Sequence, residues 1–141
     1  MYFDSCYIAK FYMNEPESRR VRELARRAGA IQSSFWAFAE FHAALHSRLR
    51  DGECSRADAR DLVARFAQHI EDGLWTLIPV TEALLRRTSA LIASAPADLF
   101  VRTADAVHLT AAQEAGEHEV WTNDRHMLAA AQYFGLLGRS V

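Results

Sequence analysis

Lysine and cysteine are both scarce in this sequence. Lys10 is the only lysine, every other basic side chain apart from histidine is an arginine, and the formal net charge is −2. A negative total argues against a strong overall attraction to nucleic acid, so phosphate contacts would have to come from local arginines, whose guanidinium groups favour bidentate binding. The two cysteines, Cys6 and Cys54, form neither a disulfide framework nor a C-x-x-C pair, which is typical of a reducing compartment.

Long apolar runs and glycine-rich loops are also missing. No stretch approaches the ~18 apolar residues that a membrane span needs. The N-terminus lacks the basic region and long apolar stretch of a secretory signal. We therefore expect a cytoplasmic protein that does not enter a membrane. The six glycines include no glycine-rich phosphate loop, which argues against nucleoside triphosphate binding.

Hydrophobic periodicity predicts the architecture. The chain has 141 residues, is 50% hydrophobic and shows no shift of composition that would mark a linker, so residues 1–141 are expected to form a single domain. The predicted strands are 2–3, 30–33, 74–80, 119–122 and 136–137. The predicted helices are 5–13, 17–28, one from Ser33 or Ser34 to residue 50, one between Ser55 and Gly73, 82–95, 102–115 and 125–134. This alternation predicts an α/β fold with a central parallel β-sheet flanked by helices.

Two aspartates follow predicted strands. Asp4 comes directly after the apolar pair YF, and Asp124 comes shortly after EVWT. Asp4 could simply cap the next helix, because aspartate is a favoured N-cap residue. In parallel α/β sheets, however, ligands bind beyond the carboxyl ends of the strands. Asp4 and Asp124 are therefore expected to lie at one functional edge of the sheet.

Two further acids lack an evident structural role. Glu40 lies inside FWAFAEFHAAL, the most aromatic stretch of the chain, where a carboxylate is costly unless it is paired or bound to metal. Asp105, in TADAVHLTAA, shares a predicted helical face with Leu109 and Ala112, so it should point inward near a helix N-terminus. Each could be a satisfied structural acid, but together with Asp4 and Asp124 they suggest one acidic site.

A cluster of carboxylates is suited to a divalent cation. Like charges within ~4–6 Å raise one another's pKa, so such a cluster becomes favourable mainly when a cation occupies it. Mg²⁺ and Mn²⁺ prefer oxygen ligands and usually retain waters, which leaves room for phosphate. A metal ion held in this way can generate hydroxide and stabilise the leaving oxygen of a phosphodiester. The four acids therefore indicate a metal-dependent nuclease.

The order of these acids resembles the acidic signature of the PIN-domain ribonucleases, and most closely the VapC-type toxins of bacterial toxin–antitoxin pairs. The resemblance spans the chain and lies in Asp4-Ser5 after a terminal strand, Glu40 on the third helix, Asp105 in ADAVHLTAA and Asp124 in TNDRHM. It implies a Mg²⁺- or Mn²⁺-dependent endoribonuclease that hydrolyses RNA phosphodiester bonds. It also implies a homodimer and inhibition by a VapB-like antitoxin that occupies the active-site groove.

The resemblance also assigns roles to particular residues. By this resemblance, four residues coordinate metal or activate water, namely Asp4, Glu40, Asp105 and Asp124. Two hydroxyl residues, Ser5 and Thr122, would orient these acids. Cys6 departs from the small hydroxyl residue expected after Asp4-Ser5, although a thiol is of similar size.

Candidate partner contacts come from arginines and aromatic residues. The candidate RNA-binding residues are Arg48 and Arg50 at the end of the Glu40 helix and Arg125 beside Asp124. An exposed part of the aromatic excess is expected to form a dimer or antitoxin surface. Its candidates are Phe35, Trp36, Phe38, Phe41, Tyr133 and Phe134.

Several alternatives stay open at this point. The chain could be a catalytically silent PIN-like module that binds RNA or protein. His42 and His46 have a spacing that can grip zinc, but the glutamate that a zincin places after the first histidine is absent. His108 could touch the metal site, although packing is the simpler interpretation. A haloacid-dehalogenase phosphatase would need an acid at position 6, where this chain has Cys6.

Overall fold

The computed structural model describes residues 1–141. Its strands are β1 (Tyr2–Phe3), β2 (Ile31–Ser34), β3 (Trp75–Ile78), β4 (Glu119–Trp121) and β5 (Leu137–Arg139). Its helices are α1 (Ser5–Tyr12), α2 (Ser18–Ala28), α3 (Trp36–Arg50), α4 (Arg56–Glu71), α5 (Glu82–Ala93), α6 (Thr103–Glu114) and α7 (Arg125–Ala131), and a 3₁₀ turn follows at Gln132–Phe134. None of the seven helices combines the length and apolar character that crossing a membrane would require.

The five strands form one parallel sheet in the order β3-β2-β1-β4-β5. The shortest strand, β1, lies at the centre, where Tyr2 pairs with Gln32 on one side and with Val120 on the other. Both β1 residues are fully buried, as expected for a central parallel strand covered on both faces. The predicted α/β fold with a central parallel sheet is therefore confirmed.

The core has one cluster on each face of the sheet. Successive strand residues point to opposite faces, so Phe3 packs in one cluster and Tyr2 in the other. Phe41 belongs to the first cluster and Phe134 to the second, and both are fully buried. The expectation that these two residues help to form a dimer or antitoxin surface was therefore wrong. The helical register turns their rings toward the sheet instead.

All the predicted strands and helices are present, and their observed ends differ from the predicted ends by a few residues. The strand predicted at 136–137 begins at Leu137 and continues to Arg139. The N-cap of α3 is Phe35, so the expected cap by Ser33 or Ser34 was wrong, and the buried Ser33 hydroxyl donates to the Phe3 carbonyl at 2.8 Å. Ser34 accepts a hydrogen bond from the Trp36 amide at 3.1 Å, so the neighbouring serine makes the local contact at the start of α3.

Candidate active site

The topology brings the start of three helices to one edge of the sheet. Strands β2, β1 and β4 are neighbours and run in the same direction. Asp4 directly follows β1, and Asp124 lies just beyond the end of β4 as the N-cap of α7. Glu40 lies in the second turn of α3, the helix that follows β2. Asp105 lies in the first turn of α6, and its side-chain contacts connect it to the same edge.

Asp4 is both a helix cap and a buried carboxylate. Its Oδ1 atom accepts a hydrogen bond from the Tyr7 amide at 3.0 Å, which makes it the N-cap of α1. Its Oδ2 atom accepts a hydrogen bond from the Thr122 hydroxyl at 2.5 Å. Burial raises the pKa of Asp4 above its usual value, although the hydrogen bonds to the carboxylate oppose this effect. The capping interpretation is therefore correct, but it does not account for the burial of a charge.

Thr122 connects the two aspartates that follow strands. Its hydroxyl donates to Asp4 and accepts from the Asp124 amide at 2.9 Å. The Cys6 Sγ atom lies 3.9 Å from the same hydroxyl. Burial and the nearby Asp4 charge raise the pKa of the Cys6 thiol, so the thiol stays protonated and is a poor nucleophile.

Arg102 joins Asp105 to Asp124. Its Nε atom donates to Asp105 Oδ2 at 2.8 Å, its Nη2 atom lies 3.3 Å from Asp105 Oδ1, and Nη2 also contacts Asp124 Oδ2. Asp124 Oδ1 accepts from the His126 and Met127 amides at the start of α7, at 2.7 and 3.2 Å. Burial acts to raise the pKa of Asp124, but these amides and the Arg102 guanidinium lower it overall.

Glu40 is held by a buried histidine. Its Oε2 atom lies 2.8 Å from His108 Nε2, and His108 Nδ1 lies 2.8 Å from the Tyr2 hydroxyl. Because the Glu40 carboxylate can only accept, His108 Nε2 donates to it, and Nδ1 of the neutral imidazole then accepts from the Tyr2 hydroxyl. Burial acts to raise the pKa of Glu40, but the hydrogen bond from His108 lowers it overall, with a further contribution from Ser5.

Three of the acids are linked through the shared partners Thr122 and Arg102, and Glu40 is linked to them through the helix that carries Asp105. His108 lies one turn after Asp105 on α6, so the Glu40 contact and the Asp105 contact arise from the same helix. In this arrangement no three histidine, cysteine, aspartate or glutamate side chains are grouped as metal ligands, and the Arg102 guanidinium lies between Asp105 and Asp124. The available donors are carboxylate oxygens, the type that Mg²⁺ and Mn²⁺ prefer, so a divalent cation fits the chemistry of the residues present.

The arginines predicted to bind RNA differ in their surroundings. Arg125 is exposed beside Asp124, with its Nε atom 3.2 Å from His126 Nε2. Arg48 forms ion pairs with Glu15 at 2.6 Å and Glu53 at 3.1 Å. Arg48 lies about 12 Å along α3 from Glu40 at the usual rise per residue. No contact connects Arg48 to the four acids.

Arg50 lies at the last turn of α3 and pairs with Asp51 at 3.0 Å. Like Arg48, it lies toward the opposite end of α3 from the acidic edge. RNA binding by Arg48, Arg50 and Arg125 stays a prediction.

The largest surface groove lies elsewhere. It has a volume of about 560 Å³, lies between α3 and α4, and contains none of the four acids. His42 and His46 line it, but His42 Nδ1 bonds to the Phe38 carbonyl at 2.7 Å. No third histidine, cysteine, aspartate or glutamate is grouped with His42 and His46 as a metal ligand, so the structure gives no support to a zinc site here.

Arg102 was not predicted from the sequence, and His108, for which packing was the simpler interpretation, contacts Glu40. Arg102 lies three residues before Asp105, a spacing that brings side chains together at a helix start, so a search for cations beside each acid could have found it. The roles of His108 and Tyr2 depend on contacts across 68 and 106 positions, which leave no local signal.

Comparisons with known proteins agree with this architecture. A crystal structure of the toxin VapC20 from Mycobacterium tuberculosis, described as cleaving the sarcin–ricin loop, matches with a TM-score of 0.70. The two sequences are 16% identical, and the match covers 92% of this chain and 95% of that chain. A search of curated protein sequences finds no match. Residues 1–132 match the PIN domain family, and the chain therefore belongs to the PIN-domain family.

Proposed function

We propose that this protein is a Mg²⁺- or Mn²⁺-dependent endoribonuclease that hydrolyses RNA phosphodiester bonds, and that it is the VapC-type toxin of a toxin–antitoxin pair. The observation that supports the proposal is a set of contacts among acids from separate segments: Thr122 contacts Asp4 and Asp124, and Arg102 contacts Asp105 and Asp124. Glu40 contacts His108 on the helix that carries Asp105. Membership of the PIN-domain family and the fold shared with VapC20 also support the proposal. By the same likeness, a VapB-like antitoxin, a homodimer and a cytoplasmic location are proposed.

The chain's own residues would prepare the site for this reaction. A bound divalent cation would supply an activated water and stabilise charge on the phosphate. Asp4, Glu40, Asp105 and Asp124 would hold that cation, and the lowered pKa values of Glu40 and Asp124 keep both carboxylates charged at neutral pH.

Neighbouring groups hold these carboxylates in place. Thr122 and the Tyr7 amide fix both oxygens of Asp4. His108 fixes one oxygen of Glu40. Because misplacement by even ~1 Å is costly in catalysis, these contacts would act as positioning contacts.

Exposed aromatic side chains near the acids are suited to RNA. Phe35 and Trp36 precede Glu40 and are 53% and 41% exposed. Phe100, which is 56% exposed, packs against His126 with ring centroids 4.4 Å apart. His126 in turn donates its backbone amide to Asp124. Unpaired bases stack on such rings, so the substrate would be an unpaired stretch of RNA.

A catalytically silent binding module is the second candidate. The observation that favours it is the pairing of Asp105 and Asp124 with Arg102, since a neutralised acid pair needs no metal ion. Turnover separates the two candidates, because only the enzyme cleaves RNA.

The decisive experiment measures RNA cleavage in Mn²⁺ by wild type and by Asp4→Asn, Glu40→Gln, Asp105→Asn and Asp124→Asn. Each variant should lose activity by ~10²-fold or more, because each removes one negative charge from the metal site. Asp61→Asn is the matched control, since Asp61 is exposed on α4, and it should cleave like wild type. Circular dichroism checks folding. Full activity in both Asp4→Asn and Asp124→Asn would overturn the proposal.

A further inference from the structure

Arg102 is the one cationic side chain that contacts two of the four acids. It is the N-cap residue of α6, and 51% of its side chain is exposed. It forms ion pairs with Asp105, whose side chain is 11% exposed, and with Asp124. A guanidinium stays charged at any physiological pH. The acid pair is therefore neutralised in part by the chain itself.

The atoms that Arg102 contacts are those a metal ion would need. The Oδ1 atom of Asp124 already accepts from the His126 and Met127 amides, which leaves Oδ2 as its free oxygen. Arg102 contacts that oxygen. It also approaches both oxygens of Asp105, at 2.8 and 3.3 Å. A divalent cation held by Asp105 and Asp124 would have to share or take these positions.

We propose that Arg102 is a resident cation of this site, which competes with the divalent metal ion for Asp105 and Asp124 and so sets the affinity of the site for metal. This inference rests on the proposed metal-dependent function. Metal binding would displace the guanidinium from the oxygens of Asp105 and Asp124 that it contacts.

Two properties of Arg102 make this exchange feasible. Half of its side chain already faces solvent, so the guanidinium can be rehydrated without breaking the core, and exposed ion pairs contribute little to stability. A divalent ion carries twice the charge of the guanidinium and binds carboxylate oxygens directly. In the absence of metal, Arg102 relieves the repulsion between the two carboxylates.

The first test measures Mn²⁺ affinity by isothermal titration calorimetry on the full-length chain. Arg102→Gln should bind Mn²⁺ about tenfold more tightly than wild type, which corresponds to ~1.4 kcal/mol. Arg102→Lys should show a smaller gain, because lysine keeps the competing positive charge and loses only the planar fork that contacts both carboxylates. The control is Arg86→Gln, which removes the same charge from an exposed pair with Glu82 on α5 and should bind like wild type.

The outcomes separate this inference from the proposed function. If wild type and Arg102→Gln bind Mn²⁺ equally, or the variant binds more weakly, then Arg102 does not compete and this inference alone fails. If neither protein binds Mn²⁺, the metal site itself is absent and both proposals fail. A gain of similar size in Arg86→Gln would assign the effect to total charge and would also overturn the inference.

A second measurement uses only the wild-type protein, so its result does not depend on whether a variant folds. In ¹⁵N NMR of wild type with chelator, the Arg102 Nε–H signal should exchange slowly with solvent, because it donates to Asp105 at 2.8 Å. Saturating Mg²⁺ should shift this signal and speed its exchange, while the Arg86 signal stays unchanged. An Arg102 signal that is the same with and without saturating Mg²⁺ would refute the competition.

Discussion

Replacing Asp4 by asparagine tests whether a buried charge is retained for metal binding. The substitution keeps the shape of the side chain and its capping role, because asparagine is as good an N-cap as aspartate. Its Oδ1 atom can still accept from the Tyr7 amide, and its new amide group can donate to the Thr122 hydroxyl, which then turns around. Burial raises the pKa of Asp4, so the ionised form is disfavoured in the fold. Without metal, Asp4→Asn should therefore melt at the same temperature as wild type or higher.

The rise in melting temperature on addition of Mn²⁺, by contrast, should be smaller in Asp4→Asn than in wild type. A ligand at a hundredfold excess over its Kd stabilises a fold by ~2.7 kcal/mol. With 141 residues and about 2.1 cal/mol/K of unfolding entropy per residue, this raises Tm by about 9 °C. If loss of the Asp4 charge weakens Mn²⁺ binding by about 100-fold, the same Mn²⁺ concentration stabilises by only ~0.4 kcal/mol. The variant should then gain only about 1 °C.

Thermal melts followed by circular dichroism, with chelator and with Mn²⁺, measure both effects. Asp61→Asn removes one negative charge from an exposed position on α4, so it should show the full wild-type gain. Equal Mn²⁺ gains in wild type and Asp4→Asn would refute the reasoning, as would the absence of any gain in wild type. Asp4 would then serve only as the N-cap of α1.

Four other predictions use separate measurements. Burial raises the folded-state pKa of Asp4 above its unfolded value of about 4. The contribution of Asp4 to the free energy of unfolding should therefore be largest below the unfolded pKa and should be lost as pH rises through the folded pKa. Denaturant unfolding in chelator should show this pH dependence in wild type and not in Asp4→Asn. Phe100→Ala should weaken binding of single-stranded RNA about tenfold in a fluorescence titration, whereas Leu137→Ala, another exposed apolar residue, should not. Reversal of Arg48 and Arg50 to glutamate should reduce both RNA affinity and its salt dependence, and an unchanged salt slope would exclude them from the RNA surface. Light scattering at high concentration should report a dimer, and a monodisperse monomer would exclude it.

Much of the fold follows from short-range sequence patterns. The alternation of apolar strands and amphipathic helices specifies the parallel sheet, since a βαβ connection has one preferred hand and buries strands on both faces. Asp4 and Asp124 could be assigned to one edge because each follows a strand, and parallel strands end on the same side. Glu40 was identified because a charge in an aromatic helix needs a partner.

The partners of these acids depend on the tertiary structure. Glu40 meets His108 across 68 positions and Asp124 meets Arg102 across 22, and no local periodicity encodes such contacts. Phe35 and Phe41 are both aromatic residues at the start of one helical region, yet the first is exposed and the second fully buried. The sequence alone therefore determined which residue types lie at the acidic edge. Only packing decided which groups hold each carboxylate, because hydrogen-bond partners and burial are set by the relative positions of whole elements.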